Sequence, residues 1–273
     1  MPIIDAHSHI YPEKISQKAV GSVGKFYSAH MDAPDASAQA LLDTCEGSPI
    51  THHLVHSVAT SPSQVETIND FVAEQCAAHD NFIGFATMHQ DYENVEDEID
   101  RAIDLGLKGV KIHPDNQRVN MDDPRLMRLY ECIEGRLPIV IHTGDYRYDF
   151  SHPRRLKKIL HTFPNLVVDA AHFGGWSIFD YALEILEDEN CYIDTSSALE
   201  FLGPRRTVEL ARAYGIERVM FGSDFPMWSP VSELNMLASM GFTQEEFEAI
   251  TWKNALRFIG VEESDLLPQA QGE

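Results

Sequence analysis

Eight short runs rich in β-branched residues recur along the chain, and longer amphipathic stretches separate them. The runs are PIIDAH, HHLVHSVA, FIGFATM, GVKIH, PIVIHTG, LVVDAAH, CYIDTSS and RVMFGSD. Strands that alternate with helices are typical of parallel sheets, because two parallel strands need a crossover connection between them. Eight such units predict an α/β fold, a closed (β/α)8 TIM barrel of one domain.

The amphipathic stretches predict helices over residues 63–78, 94–105, 124–135, 153–162, 178–187 and 204–214. A last long helix is predicted over 243–260, because Thr243 and Glu246 have capping-box spacing and Gly260 suits a helix end. Residues 12–49 lack a simple strand–helix pattern and are predicted to form an extended first connection near the barrel mouth. The barrel should span residues 1–262, with 263–273 as a loosely held tail.

Length and charge limit the partners of this chain. Its 273 residues suit a single barrel of about 250 residues. A formal net charge of −22 repels phosphate backbones and anionic membrane surfaces. Four cysteines without a C-x-x-C pair fit buried thiols in a reducing compartment. We expect a cytoplasmic protein that binds a small molecule and neither nucleic acid nor membrane.

Two further expectations concern location and assembly. No basic-then-apolar leader precedes Ile3, and no uncharged apolar run reaches about 18 residues, which supports the cytoplasmic expectation. Two-fold dimers are the commonest oligomers, so a homodimer is the expected assembly on general frequency alone.

Polar residues repeatedly interrupt the carboxyl ends of the predicted strands. They are His7 and His9 in the first, Lys111 and His113 in the fourth, His142 in the fifth, His172 in the sixth and Asp224 in the eighth. The reactive groups of such barrels lie at these ends, so we expect the side chains to converge. Three imidazoles and one carboxylate suit one divalent cation, Zn²⁺ first and Mn²⁺ as the alternative.

Four motifs carry a family resemblance. In chain order they are His7-x-His9, IHTG around His142, AHFGG around His172 and GSDFP around Asp224. Together they resemble the amidohydrolase superfamily, and the chain is most similar to the amidohydrolase-related group that includes aminocarboxymuconate semialdehyde decarboxylase and resorcylate-type decarboxylases. The closing NALRF (254–258) resembles the last helix of that group, so the similarity spans nearly the whole chain.

The resemblance implies roles for these residues. His7, His9, His142 and Asp224 would hold the metal, while His172, together with Asp224, would move protons during the reaction. A histidine outside the metal ligands suits proton transfer near neutral pH. The alternative for His172 is a fifth ligand or a partner that supports a ligand.

Lys111 leaves the number of metals open. It shares a strand face with His113, and its sequence context resembles the strand-four lysine that is carboxylated in two-metal members of the superfamily. The alternative is that these residues line the pocket. We expect an unmodified Lys111 and a single metal.

Four residues in the loops are weaker candidates for substrate binding. Arg118 and Arg147 follow strands four and five, where a guanidinium could bind a substrate carboxylate. Trp176 and Trp228 follow strands six and eight, where an aromatic ring could form a pocket wall. Solvated charges and core packing are the respective alternatives.

Two enzyme classes fit this set of residues. A metal-dependent hydrolase would use activated water to attack an amide, ester or lactone carbonyl of a small, carboxylated molecule. A metal-dependent non-oxidative decarboxylase of an aromatic or muconate-like acid is the alternative, and a non-catalytic barrel is the second alternative. The breadth of the superfamily favours the hydrolase, although a fold cannot name a substrate.

Overall fold

The computed structural model describes residues 2–266, and it contains eight parallel strands that neighbour one another in chain order. The strands are β1 (Ile4–His9), β2 (His52–His56), β3 (Phe82–Thr87), β4 (Gly109–Ile112), β5 (Ile139–Ile141), β6 (Val168–Ala170), β7 (Tyr192–Asp194) and β8 (Val219–Met220). Seven lie within the runs that the sequence identified, and β1 extends two residues beyond its run, to His9. The predicted (β/α)8 barrel is confirmed.

The first and last strands close the barrel through their carboxyl ends. The amide of Ala6 donates to the carbonyl of Phe221 (2.8 Å), and a parallel bridge joins Ser8 to Phe225. Buried Asp5 secures the seam, since its carboxylate accepts from the hydroxyl of Ser8 (2.7 Å) and from that of Ser223 (2.6 Å). The acidic residue before the first histidine motif therefore joins β1 to the loop after β8.

Helices surround the strands and follow the predicted alternation. They are α1 (Glu13–Tyr27), α2 (Ala38–Cys45), α3 (Val65–Ala78), α4 (Val95–Asp104), α5 (Pro114–Gln117), α6 (Pro124–Ile133), α7 (Pro153–Thr162), α8 (Phe179–Leu186), α9 (Leu199–Tyr214), α10 (Pro230–Ala238), α11 (Gln244–Glu248), α12 (Asn254–Ile259) and α13 (Glu263–Leu266). A π-helical turn, Ala249–Lys253, joins α11 to α12. The capping box at Thr243 and Glu246 is present, with both reciprocal hydrogen bonds.

The last helices pack at the amino-terminal end of the barrel, opposite the predicted site. Trp252 lies 6.1 Å from the ring of His52, which begins β2, and Phe258 stacks on Phe85 of β3 at 6.0 Å. These aromatic side chains belong to an apolar cluster with strand residues such as Ile4 and Met220. Burial of large apolar surface there stabilises the barrel without involving its reactive end.

The connection between β1 and β2 contains α1 and α2. Residues of α1 line a cavity at the carboxyl ends of the strands, so this helix covers part of the barrel mouth. Residues 263–266 form α13, and the rest of the expected tail, 267–273, lies outside the described residues. Over residues 2–266, no helix combines the length and apolar character that a membrane span requires.

Candidate active site

One cavity of about 660 Å³ collects the polar residues at the strand ends. Its lining includes His7, His9, Lys111, His113, His142, His172 and Asp224. These residues come from β1, β4 and the segments that follow β4, β5, β6 and β8. The structure thus brings together the side chains that the strand-end rule selected.

Asp224 lies beside both histidines of β1. Its Oδ1 is 3.3 Å from His9 Nε2 and 3.6 Å from His7 Nε2. Its Oδ2 accepts from the hydroxyl of Ser197 (2.6 Å), which in turn accepts from the indole N–H of Trp228 (2.9 Å). Trp228 does not line the cavity; it positions the carboxylate of Asp224 through Ser197.

Three further histidines of the cavity contact one another. The ring of His142 stacks on that of His113, with centroids 3.8 Å apart, and its Nδ1 lies 2.9 Å from His172 Nε2. His113 Nε2 is 2.7 Å from the hydroxyl of Tyr27, a residue of α1. The helix over the mouth therefore contacts the site directly.

The backbone at two of these residues is unusual. His172 and Asp224 have φ angles of 62° and 63°, in the left-handed region that non-glycine residues seldom adopt. The amide of His172 donates to Asp194 Oδ1 (3.0 Å), and the amide of Asp224 donates to the carbonyl of His7 (2.8 Å). Such conformations persist when surrounding contacts hold them, and they are concentrated at functional sites.

Burial and neighbouring side chains together favour the protonation states that a cation needs. Burial lowers the pKa of His9 to about 4 and holds the pKa of His172 well below its usual value. Burial opposes ionisation of Asp224, but the hydrogen bond to His9 and the nearby His172 and His7 nevertheless hold its pKa far below the ordinary range. Neutral imidazoles and an ionised carboxylate are the forms that bind divalent cations.

Lys111 is fully buried within the same cavity. Its Nζ lies 3.1 Å from His7 Nε2, and burial lowers its pKa to about 8, against the opposing charges of Asp194, Asp224 and Asp169. The side chain therefore lies beside a candidate metal ligand.

The candidate arginines are not placed as the sequence suggested. Neither Arg118 nor Arg147 lines the cavity. The Arg147 guanidinium donates to Asp145 (2.6 Å) and to the carbonyl of Phe26 (2.7 Å), and it lies over the Phe26 ring at 5.1 Å. Arg147 therefore joins α1 to the β5 loop and does not reach the cavity lining.

Trp176 is also outside the cavity. It packs edge-on against Tyr27 with ring centroids 5.2 Å apart, so it supports the cavity wall from behind. The backbone beside it is tightly packed, because a Cβ on Gly144 would lie only 2.5 Å from the Cα of Gly175. Glycine in the IHTG motif is thus required where the loops after β5 and β6 meet.

Sequence reasoning overlooked Asp194 and Ser196, which follow the same strand-end rule in CYIDTSS. Asp194 Oδ2 lies 2.6 Å from His7 Nδ1, and Ser196 Oγ lies 2.8 Å from His172 Nδ1. Ser196 also donates to Asp194. These two residues fix the orientation of the His7 and His172 rings through hydrogen bonds. Hydrogen-bonded partners of this kind commonly orient the histidines of metal sites.

In the part of the chain that the structure describes, three buried groups of residues have spacing suited to a metal ion. In each group, one ligand atom per residue lies within 4.8 Å of the others. The groups are His7–His9–His56, His7–His172–Asp194 and His113–Asp115–His142. His9 Nδ1 has no hydrogen-bond partner within residues 2–266, although it is buried. Imidazole nitrogens with carboxylate oxygens suit Zn²⁺ and Mn²⁺, so the residues present fit a divalent cation.

The low pKa of His9 predicts a pH dependence of stability for the metal-free protein. In an unfolded chain the pKa of this histidine is near the ordinary value of 6.5, whereas in the folded chain it is about 4. Between these values the unfolded state binds more protons, so the free energy of unfolding should rise with pH, by about 3 kcal/mol for this group.

Urea denaturation in excess chelator, from pH 4.5 to 7, measures that dependence. Other groups titrate in this range, so His9→Gln provides the matched control. The variant should show a smaller dependence of the free energy of unfolding on pH, equivalent to the uptake of up to one proton fewer on unfolding. Equal slopes for the wild-type protein and the variant would contradict the shifted pKa.

Comparisons with known proteins agree with this architecture. A family model described as Amidohydrolase matches residues 4–261. No curated protein matches the sequence. The solved structures described next are 16–17% identical to the chain, and at this level their similarity shows the shared barrel fold.

Three of these structures illustrate the kinds of enzyme that the chain resembles in fold. A 2,6-dihydroxybenzoate decarboxylase from Rhizobium is 17% identical, with 95% of this chain and 99% of that chain covered and a TM-score of 0.75. A dihydroxybenzoic acid decarboxylase from Polaromonas, with bound manganese and 2-nitroresorcinol, is 16% identical (98% and 99% covered, TM-score 0.73). A putative 2-pyrone-4,6-dicarboxylic acid hydrolase from Pseudomonas putida is 17% identical (94% and 97% covered, TM-score 0.68).

Proposed function

The chain belongs to the amidohydrolase family, a family of metal-dependent enzymes, and on this premise we propose that it is a non-oxidative decarboxylase of a carboxylic acid. The sequence favoured a hydrolase by the breadth of the superfamily. The names of the similar structures favour the alternative, since they include several decarboxylases of aromatic acids.

The observation that carries the proposal is the contrast between the floor and the walls of the cavity. The floor consists of buried imidazoles and Asp224, whereas α1 and α3 contribute apolar walls that include Ile15, Val23, Ile68 and Phe71. A volume of about 660 Å³ lies within the usual range of sites for small molecules. A carboxylate held at this floor would place an apolar ring or chain between the two helices.

In the proposed site, His7, His9, His142 and Asp224 would hold one divalent cation, Zn²⁺ or Mn²⁺. When bound, the cation supplies Lewis-acid chemistry toward a carboxylate and a neighbouring oxygen. The apolar walls exclude water from the substrate carboxylate, and removal of water raises the free energy of a localised charge. Cleavage of the carbon–carboxyl bond releases CO₂ and leaves the bonding electron pair on carbon, where the pair forms a C–H bond with a proton.

His172 is assigned to hold and transfer that proton. It lies in a hydrogen-bonded chain that runs from Asp194 through Ser196 to His172 and on to His142. Such a chain can supply a proton to the cavity and recover one afterwards. The surrounding contacts fix the ring, so the transfer requires little rearrangement.

The test is a screen of the metal-loaded protein against hydroxylated benzoates and unsaturated dicarboxylates. We expect CO₂ release that equals product formation, and in D₂O one deuterium at the carbon that lost its carboxyl group. Reaction without CO₂ would contradict the proposal.

Hydrolysis is the second candidate function, because the similar structures include a putative 2-pyrone-4,6-dicarboxylic acid hydrolase. The same proposed metal ligands would serve it, with His172 or Asp224 moving the proton of an attacking water. Lactones and esters belong in the same screen, and their cleavage with ¹⁸O incorporation from labelled water would establish this function instead.

A further inference from the structure

His56 is a fully buried histidine at the carboxyl end of β2 that the proposed mechanism does not use. Neither Nδ1 nor Nε2 has a hydrogen-bond partner within residues 2–266. A buried polar group without a partner costs free energy, and such groups generally indicate an ion or a water that satisfies them. The ring of His56 thus requires a partner that the protein atoms do not provide.

The surroundings of His56 indicate what that partner is. Its ring lies edge-on to His9 and to His7, with centroids 4.5 Å and 4.8 Å apart. One nitrogen from each of the three rings lies within 4.8 Å of the other two. Nitrogens that bind one zinc ion at about 2.1 Å lie at most about 4.2 Å apart, so small side-chain movements bring all three within reach of one ion.

We propose that His56 is an additional ligand of the divalent cation, which it would approach from beside His7 and His9, behind the cavity lining. This inference rests on the proposed metal site and adds a residue to it. A further imidazole would make the donor set richer in nitrogen, and nitrogen ligands favour Zn²⁺ over Mg²⁺ or Ca²⁺. It would also explain why an ionisable side chain is fully buried at the end of a strand, where an apolar residue would cost less to bury.

The variant His56→Phe tests the contribution of the two ring nitrogens of His56. Phenylalanine keeps an aromatic ring that can pack edge-on against His7 and His9, but it has no atom that binds a metal. We expect the dissociation constant for Zn²⁺, measured by competition with a chromophoric chelator, to increase at least about tenfold. The visible absorption bands of the Co²⁺-loaded protein should also change, because they report the ligands directly.

His89→Phe is the matched control. His89 is also buried and follows the neighbouring strand, β3, but its Nδ1 accepts the amide of Asp91 and it belongs to none of the described residue groups with metal-ligand spacing. The Zn²⁺ affinity and the Co²⁺ spectrum should therefore stay at wild-type values. The same values in His56→Phe would overturn the assignment of His56.

A zinc-bound crystal structure of the wild-type protein provides a second test that does not depend on the folding of any variant. We expect a nitrogen of His56 at about 2.1 Å from the ion, the normal Zn–N distance. A distance beyond about 3 Å, or a water between the ring and the ion, would overturn the proposal while leaving the metal enzyme intact. Failure of the wild-type protein to bind any divalent cation would instead refute the proposed function together with this ligand.

Discussion

Asp224→Asn is expected to weaken binding of the divalent cation by more than about 100-fold, beyond what loss of a supporting contact normally costs. The substitution removes the single carboxylate of the proposed ligand set while keeping the volume of the side chain. Asparagine also tolerates the left-handed backbone of this position, where φ is 63°, so the fold should be retained. Turnover on the screened substrate should fall by at least about 10³-fold, since metal and proton transfer are both affected.

Elemental analysis with parallel kinetics checks this expectation. Wild-type protein should carry about one metal per chain, and His7→Ala should lose it as Asp224→Asn does. Asp145→Asn is the matched control, because Asp145 is a buried carboxylate of the β5 loop that pairs with Arg147 and lies outside the cavity lining. Full metal occupancy in both site variants would show that these residues are not ligands.

The metal count also tests the expectation for Lys111. Its Nζ lies 3.1 Å from His7 Nε2, close enough for a role in the pocket or, if carboxylated, in a second metal site. Two metals per chain, with a carboxylated Lys111 detected by mass spectrometry, would replace the one-metal expectation.

The barrel could be predicted because the same sequence pattern, a β-branched run followed by an amphipathic stretch, recurs along the chain. Each of the eight β-branched runs is short, but eight of them in alternation with helices leave few other arrangements. The same regularity located His7, His142, His172 and Asp224, because polar residues at the carboxyl ends of barrel strands commonly face the barrel mouth. For these residues, the local pattern and the tertiary position follow from one rule.

Asp194 shows where the rule was applied too narrowly. It ends β7 in CYIDTSS, as Asp224 follows β8, but an aspartate followed by Thr195 and Ser196 also resembles an ordinary polar turn. Asp194 contacts His7, which lies 187 positions away in the sequence. Periodic patterns predict local structure, so they do not indicate a contact between residues this far apart. The partners that orient a site are therefore harder to predict than the strand-end residues themselves.

Arg147 and Trp228 illustrate a second limit. A loop position beside the mouth suggested contact with substrate, but Arg147 finds Asp145 two residues away and the carbonyl of Phe26 in α1. Trp228 reaches Asp224 only through Ser197. A long side chain with several hydrogen-bond donors can reach many possible acceptors. Which acceptor it binds depends on tertiary packing, which the sequence pattern does not reveal.

His172→Asn separates proton transfer from metal binding. If His172 holds the proton, the variant should retain its metal and lose about 10²-fold or more in turnover, the usual scale of general acid–base assistance. Asparagine suits the left-handed backbone at φ 62° and can still hydrogen-bond toward Ser196, so stability should change little. Metal content, the urea midpoint and kcat are the three measurements.

The outcomes distinguish the two roles of this ring. A ligand would lose metal affinity together with activity, and excess metal would restore part of the rate. A proton-transfer residue would keep its metal, show no rescue by excess metal, and slow the step that incorporates deuterium from D₂O into the product. Ser196→Ala gives a graded comparison, because it removes the hydroxyl 2.8 Å from His172 Nδ1 but leaves the imidazole in place. Its loss of turnover should be smaller than that of His172→Asn, and equal turnover in wild-type protein and His172→Asn at full metal occupancy would exclude the catalytic role.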